Sequence, residues 1–216
     1  MSTSASTGVA PPQGRRRYDS SLRQQMALKN RQAVLDAATA RFSESGWAAS
    51  VRDIARSAGV SVETVYAHFG SKIDLFNTVL DVAVVGDDEP VALVDRPLFA
   101  ALSTGSHRDR ARAGAALNTA INQRTTHLYR ALREAAAVEP VLAQRLHALR
   151  ESQRHTVRAA LVMVAGREVT ATEADGVWAL LTQDVHALLV DTAGWSPAHY
   201  EQWVADSILT LLHLHD

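Results

Sequence analysis

The 216-residue chain has no cysteine, which excludes disulfides, thiol nucleophiles, thiolate-bound zinc and thiol redox sensing. Proline (6) and glycine (11) are few, so little of the chain is forced into turns. No apolar run approaches the ~20 residues a bilayer crossing needs. The opening MSTSASTGVAPPQG lacks the apolar stretch of a secretory leader, and a cytoplasmic protein is expected. Also missing are a Gly-rich phosphate loop, H-E-x-x-H and G-x-S-x-G. With no converging set of acid, base and nucleophile, an enzyme is not expected. No cofactor or metal is expected either: His213 and His215 are two residues apart, and such a pair does not share a helix face. The Arg145, Arg150, Arg154 and Arg158 series reads as a solvated helix face rather than an anion site.

What remains is material for helices. Hydrophobic residues make up 47% of the chain, and their spacing is helical throughout, with no sustained period-two alternation. Net charge is −1, yet residues 1–80 hold 10 Lys/Arg against 6 Asp/Glu, and residues 81–216 hold 12 against 17. The first part is therefore +4 and the second −5, a division that suits a nucleic-acid contact at one end.

Punctuation divides the chain into a disordered basic tail (1–20), an N-terminal helical domain (21–85), an acidic linker (86–96) and a C-terminal helical domain (97–216). The first helix is predicted from about Ser21 to Ser45, with Gly46 ending it. Ser50, Ser61 and Ser71 are placed to cap the next three. Beyond the linker, helices are predicted near 97–103, 107–137, 140–165, 172–192 and 196–214, the last opened by Ser196 and Pro197.

The informative stretch is SVRDIARSAGVSVETVYAHFGSKIDLF, residues 50–76. Two short helices meet at Ala58-Gly59-Val60, the arrangement of a helix-turn-helix. With Ala37-Ala38, Phe42 and Gly46-Trp47 upstream, and Tyr66-x-His68-Phe69-x-Ser71-Lys72 downstream, residues 31–80 resemble the TetR family of tetracycline-repressor-like regulators. The fold expected is all-α. An N-terminal three-helix helix-turn-helix bundle is followed by a larger C-terminal dimerisation and ligand domain, about nine helices in all.

The resemblance and the physics together assign the DNA contacts. Ser61, Val62, Glu63 and Thr64 open the recognition helix, where base edges are reached. Tyr66, His68 and Lys72 would hold phosphates, Arg52 would touch backbone or a flanking base, and Arg15, Arg16 and Arg17 would form a basic arm. Phe69 is read as core.

In the C-terminal domain, Trp178, Leu181, Val185, Leu188, Trp203, Ile208 and Leu211 lie at helical spacing. The resemblance implies a homodimer through the last two helices. One short recognition helix contacts few base pairs, so two copies about one DNA turn apart would read a palindromic operator. Candidates for binding a small-molecule effector are Asn118, Asn122, His127, His147, Arg150, His155 and Met163. The leading expectation is a repressor released by its effector. An activator, a ligand-independent regulator and a helical enzyme or adaptor are the alternatives.

Overall fold

A first helix, α1 (Gly14–Ser45), starts seven residues earlier than the spacing of its apolar positions requires. A computed structural model describes the backbone over 14–86 and 97–214, and side chains from residue 23 onward except 97 and 98. Most of the tail, nearly all of the linker, the Arg15–Arg17 side chains and His215 lie outside the described residues.

After a 3₁₀ turn (Gly46–Ala48) come α2 (Val51–Ala58), α3 (Val62–Phe69) and α4 (Lys72–Val85). The three predicted serine caps form. Ser50 accepts from the Asp53 amide and Ser61 from that of Thr64 (both 3.1 Å), and Ser71 does the same for Asp74. Each supplies an acceptor to an amide that the first helical turn cannot satisfy. Gly59, at φ +70°, ends α2 in the left-handed region, and the Val60 amide then donates to the Ala55 carbonyl at 3.0 Å. This reversal brings α3 across α2.

The C-terminal part comprises α5 (Pro97–Ala100), a 3₁₀ turn (Ala101–Ser103), α6 (His107–Ala136) and α7 (Pro140–Ala165). It continues with α8 (Ala171–Leu180), α9 (Gln183–His186), a π-helical turn (Ala187–Thr192) and α10 (Pro197–Leu211). Among the described residues all regular structure is helical, as expected. The single helix predicted over 172–192 is instead broken at Thr182, whose backbone is extended and whose hydroxyl donates to the Ala179 carbonyl at 3.0 Å. The Leu181 carbonyl freed there accepts from Asn122 at 3.1 Å. The break turns Gln183 and His186 inward to meet Thr125 and Thr126.

Two cores result. One joins Val34, Phe42, Ile54, Val65 and Phe76 of α1–α4 to Leu128, Tyr129, Leu132 and Ala135 of α6 and Leu142 of α7. The other surrounds Leu102, Leu161, Val177, Tyr200 and Ile208. The helix-turn-helix is thus packed on the C-terminal domain through shared apolar surface, and polar contacts reinforce the joint. Arg124 donates to the Ala83 carbonyl at 2.8 Å, Arg130 to the Ser43 carbonyl at 3.0 Å, and Arg145 pairs with Asp81.

Candidate nucleic-acid interface

The third helix has one face committed to the core and one left to solvent. Val65 and Phe69 are buried, and Val62 packs against the same cluster. Glu63, Tyr66, Ala67 and Gly70 are exposed. Their spacing of i, i+3, i+4, i+7 is a single helical stripe. Tyr66 is 45% exposed, an aromatic ring that the protein's own core does not use.

Ser61 and Thr64 are joined to each other, their hydroxyls 3.1 Å apart, while the Ser61 oxygen also caps the helix. Glu63 is exposed, and its carboxyl is held below its usual pKa by its own backbone amide and the Ser61 hydroxyl. It is therefore an anion at the end of α3 that would face DNA. Of the four residues assigned to base edges, Ser61 and Glu63 are presented outward. Val62 is half-buried against the core, so its side chain is largely spent on packing. Ala67 was missed by the motif reading; its place four residues after Glu63 is the signal that finds it.

Arg52 is exposed on α2, and His68 is half-buried beside Phe69, their rings 6.2 Å apart. Lys72 departs furthest from the expectation. Its ammonium donates to the Trp47 carbonyl at 2.6 Å and lies 4.0 Å from the centre of the Trp47 ring. Burial pushes its pKa below the usual lysine value, against an upward pull from Glu139. Lys72 is thus first a clamp on the turn between α1 and α2, with two N–H groups left over.

Beside this domain lies a cavity of about 750 Å³, within the range of small-molecule sites. Its walls include Phe99, Leu117, Ile121, Val157, Leu161 and Val164, and its polar groups include Asn118, Gln183, Tyr129, Gln153 and Arg145. Of the predicted ligand residues, Asn118 lines it. Asn122 is buried behind, with both amide N–H groups spent on the Leu181 carbonyl and the Tyr200 hydroxyl. His127, His147 and His155 are exposed and outside the lining, Met163 packs against the second core, and Arg150 borders a separate smaller cavity. Periodicity could not find Gln153, Gln183 or Tyr129, because the cavity exists only once α6, α7 and the broken α8–α9 segment are assembled.

The residues expected at a dimer contact also divide. Leu181 and Ile208 are 7% and 3% exposed and line the cavity, so they serve the subunit's own interior. Leu188 is 61% exposed, while Trp178, Val185, Trp203 and Leu211 are half-buried. Of the arginine series read as a solvated face, Arg154 is paired with Asp175 at 2.6 Å, and Arg145 reaches the cavity.

Residues 34–79 match the family described as bacterial regulatory proteins, tetR family. The fold recurs in a transcriptional regulator from Rhodococcus sp. Rha1, at 23% identity and TM-score 0.60, covering 85% of this chain and 96% of that one. It recurs in a TetR-family member from Streptomyces coelicolor A3, at 21% identity and TM-score 0.56, over 83% of this chain and 98% of the other. The ketosteroid transcriptional regulator KstR2 of Mycobacterium tuberculosis is similar at 22% identity and TM-score 0.52, over 85% and 93%. Residues 34–79 thus have the sequence of a tetR-family N-terminal domain, with α2 and α3 as its helix-turn-helix, and the chain as a whole has the fold that these regulators share.

Proposed function

We propose that this protein is a cytoplasmic homodimeric repressor, bound through α3 to a palindromic operator and released by a small-molecule effector held in the 750 Å³ cavity. The observation that carries the DNA half is the outward stripe of Glu63, Tyr66, Ala67 and Gly70 on a helix whose other face is buried. Small residues at 67 and 70 let the backbone approach base edges, and Tyr66 stands where a hydroxyl meets a phosphate. Ser61 and Glu63 contact bases from the start of α3, Glu63 accepting from a cytosine amino group. Thr64, Val62 and His68 hold the helix in place, and Arg52 reaches the flanking backbone from α2.

Dimerisation uses the apolar surface that the subunit leaves uncovered at Leu188, with Trp178, Val185, Trp203 and Leu211 around it. Release follows if the effector prefers the arrangement in which the two α3 helices no longer match successive major grooves. The test is a gel-shift titration of the full chain on DNA from upstream of its gene. Tyr66→Phe removes one hydroxyl from an exposed ring and should weaken binding about tenfold while the melting temperature holds. Unchanged binding by both Tyr66→Phe and Arg52→Ala would sink the assignment of this face.

A further inference from the structure

The cavity is apolar along most of its length, and the charged side chains among its lining residues are Arg145 of α7 and Asp81 of α4. They form an ion pair with each other. Arg145 is only partly committed to it: one Nη meets Asp81, while its Nε is buried without a hydrogen-bond partner. A buried guanidinium N–H with no acceptor is costly, and it marks a place where an acceptor belongs. Tyr129 also lines the cavity. Burial raises the pKa of its phenol, while Arg145 and Arg150 pull it down and Asp81 pushes it up. At this end of the cavity the Arg145–Asp81 pair thus stands beside an apolar chamber, with the Arg145 Nε still without an acceptor.

We propose, taking the cavity as the effector site, that its ligand is an amphipathic anion whose head group binds Arg145 in place of Asp81. A carboxylate or phosphate fits the planar fork of a guanidinium through two parallel N–H···O bonds, which would use the unpartnered Nε. The apolar tail lies along Ile121, Val157, Leu161 and Val164.

The exchange has a regulatory consequence. Asp81 sits in the third turn of α4, and the carbonyls of the last turn, from Ala83 and Val84, are held by Arg124 of α6. Two arginines from the C-terminal domain thus grip the end of the helix that follows α3. Asp81 is 62% exposed and Arg145 31%, and an exposed pair contributes little in water and exchanges readily. A bound anion takes one of the two grips away.

The test uses the full chain and three probes of equal tail length, dodecanoate, dodecanol and dodecyltrimethylammonium, titrated calorimetrically below their micellar concentrations. Dodecanoate should bind about tenfold tighter than dodecanol, the step from a neutral to a charge-assisted hydrogen bond, and the cation should bind weakest. Arg145→Gln should bring the two affinities together by weakening dodecanoate alone. Asp81→Asn, at an exposed position, should tighten dodecanoate and leave dodecanol unchanged. Equal binding of carboxylate and alcohol by the unmodified protein overturns the anion preference but keeps the cavity as a ligand site. A preference that survives Arg145→Gln overturns the role of Arg145. Failure of all three probes to bind overturns the proposal together with the reading of the cavity on which it rests.

Discussion

Replacing Lys72 by methionine separates the two roles the residue carries. Methionine keeps an unbranched apolar stem and loses the ammonium. What disappears is a charge-assisted hydrogen bond of 2.6 Å to the Trp47 carbonyl and a cation 4.0 Å from the centre of the indole ring. A hydrogen bond to a charged group contributes about 1.5–3 kcal/mol, and a cation over an aromatic face about 0.5–2 kcal/mol. Against this stands the cost of holding the ammonium partly buried, visible in its lowered pKa. The net loss should be about 2 kcal/mol. For a chain of 216 residues that corresponds to a fall of about 4–8 °C in Tm by differential scanning calorimetry. Lys72→Arg keeps the charge and should recover part of the loss. If Lys72 also uses a remaining N–H on a phosphate, the slope of log K against log salt should drop by about 1.8 per dimer (about 0.9 for each protomer) in Lys72→Met and stay unchanged in Lys72→Arg. A Lys72→Met protein that melts with the wild type would refute the clamp, whatever its effect on DNA.

Two further substitutions probe the frame. Gly46 and Gly59 have φ of +60° and +70°, but a Cβ on Gly59 meets nothing, whereas one on Gly46 falls 2.1 Å from a Glu134 carboxylate oxygen. Both Gly→Ala changes should cost about 1–2 kcal/mol for the left-handed backbone. Gly46→Ala should cost measurably more in urea unfolding, because it displaces Glu134 from the Trp47 amide (3.4 Å); equal losses would mean that this contact adds nothing. Glu173, bonded first by Arg167 and then by the Thr170 amide and hydroxyl, has its pKa lowered to about 2. A depressed carboxyl stabilises above its unfolded pKa and loses that contribution as pH falls through the folded value. The Tm gap between wild type and Glu173→Gln should therefore be full at pH 6 and close between about pH 4.5 and 2; a gap independent of pH would rule out the ion pair as its source.

The parts legible in the sequence are those set by neighbours along the chain. Ser50, Ser61 and Ser71 cap their helices because a hydroxyl one residue before a helix reaches the amide three residues on, a distance that only local geometry fixes. Ser196 with Pro197 opens α10 for the same reason. Phe69 was readable as core because it follows Val65 by one turn. Lys72 was not readable, because its partner Trp47 is 25 positions away. Asn122 likewise looked like a free polar group until Leu181, 59 positions on, proved to need its amide. Histidines drew attention as ligand groups by type alone, and His127, His147 and His155 ended on the surface. His186, unremarked in the sequence, is buried against Thr126 and Tyr200, and burial lowers its pKa.

The division into a DNA-binding domain and a ligand domain is weaker in the structure than in the sequence. Leu128, Tyr129, Leu132 and Ala135 of α6 belong to the core of α1–α4, and Tyr129 also lines the cavity. Removing Leu128 or Leu132 from its apolar surroundings costs about 1.5–3 kcal/mol each. Coupling between two ligand sites is worth only about 1–3 kcal/mol in total. A ligand with that much energy cannot peel the helix-turn-helix off α6, so the apolar joint must travel as one body. The contacts within reach are the polar ones around it: Arg124 on Ala83 and Val84, Arg130 on Ser43, Glu134 on Trp47 and Arg145 on Asp81. Each is at least partly solvated and individually small. Of these four, the Arg145–Asp81 pair alone lies on the cavity wall, next to Val84 and Val85 of α4, so it is the polar contact that a molecule bound there would exchange directly.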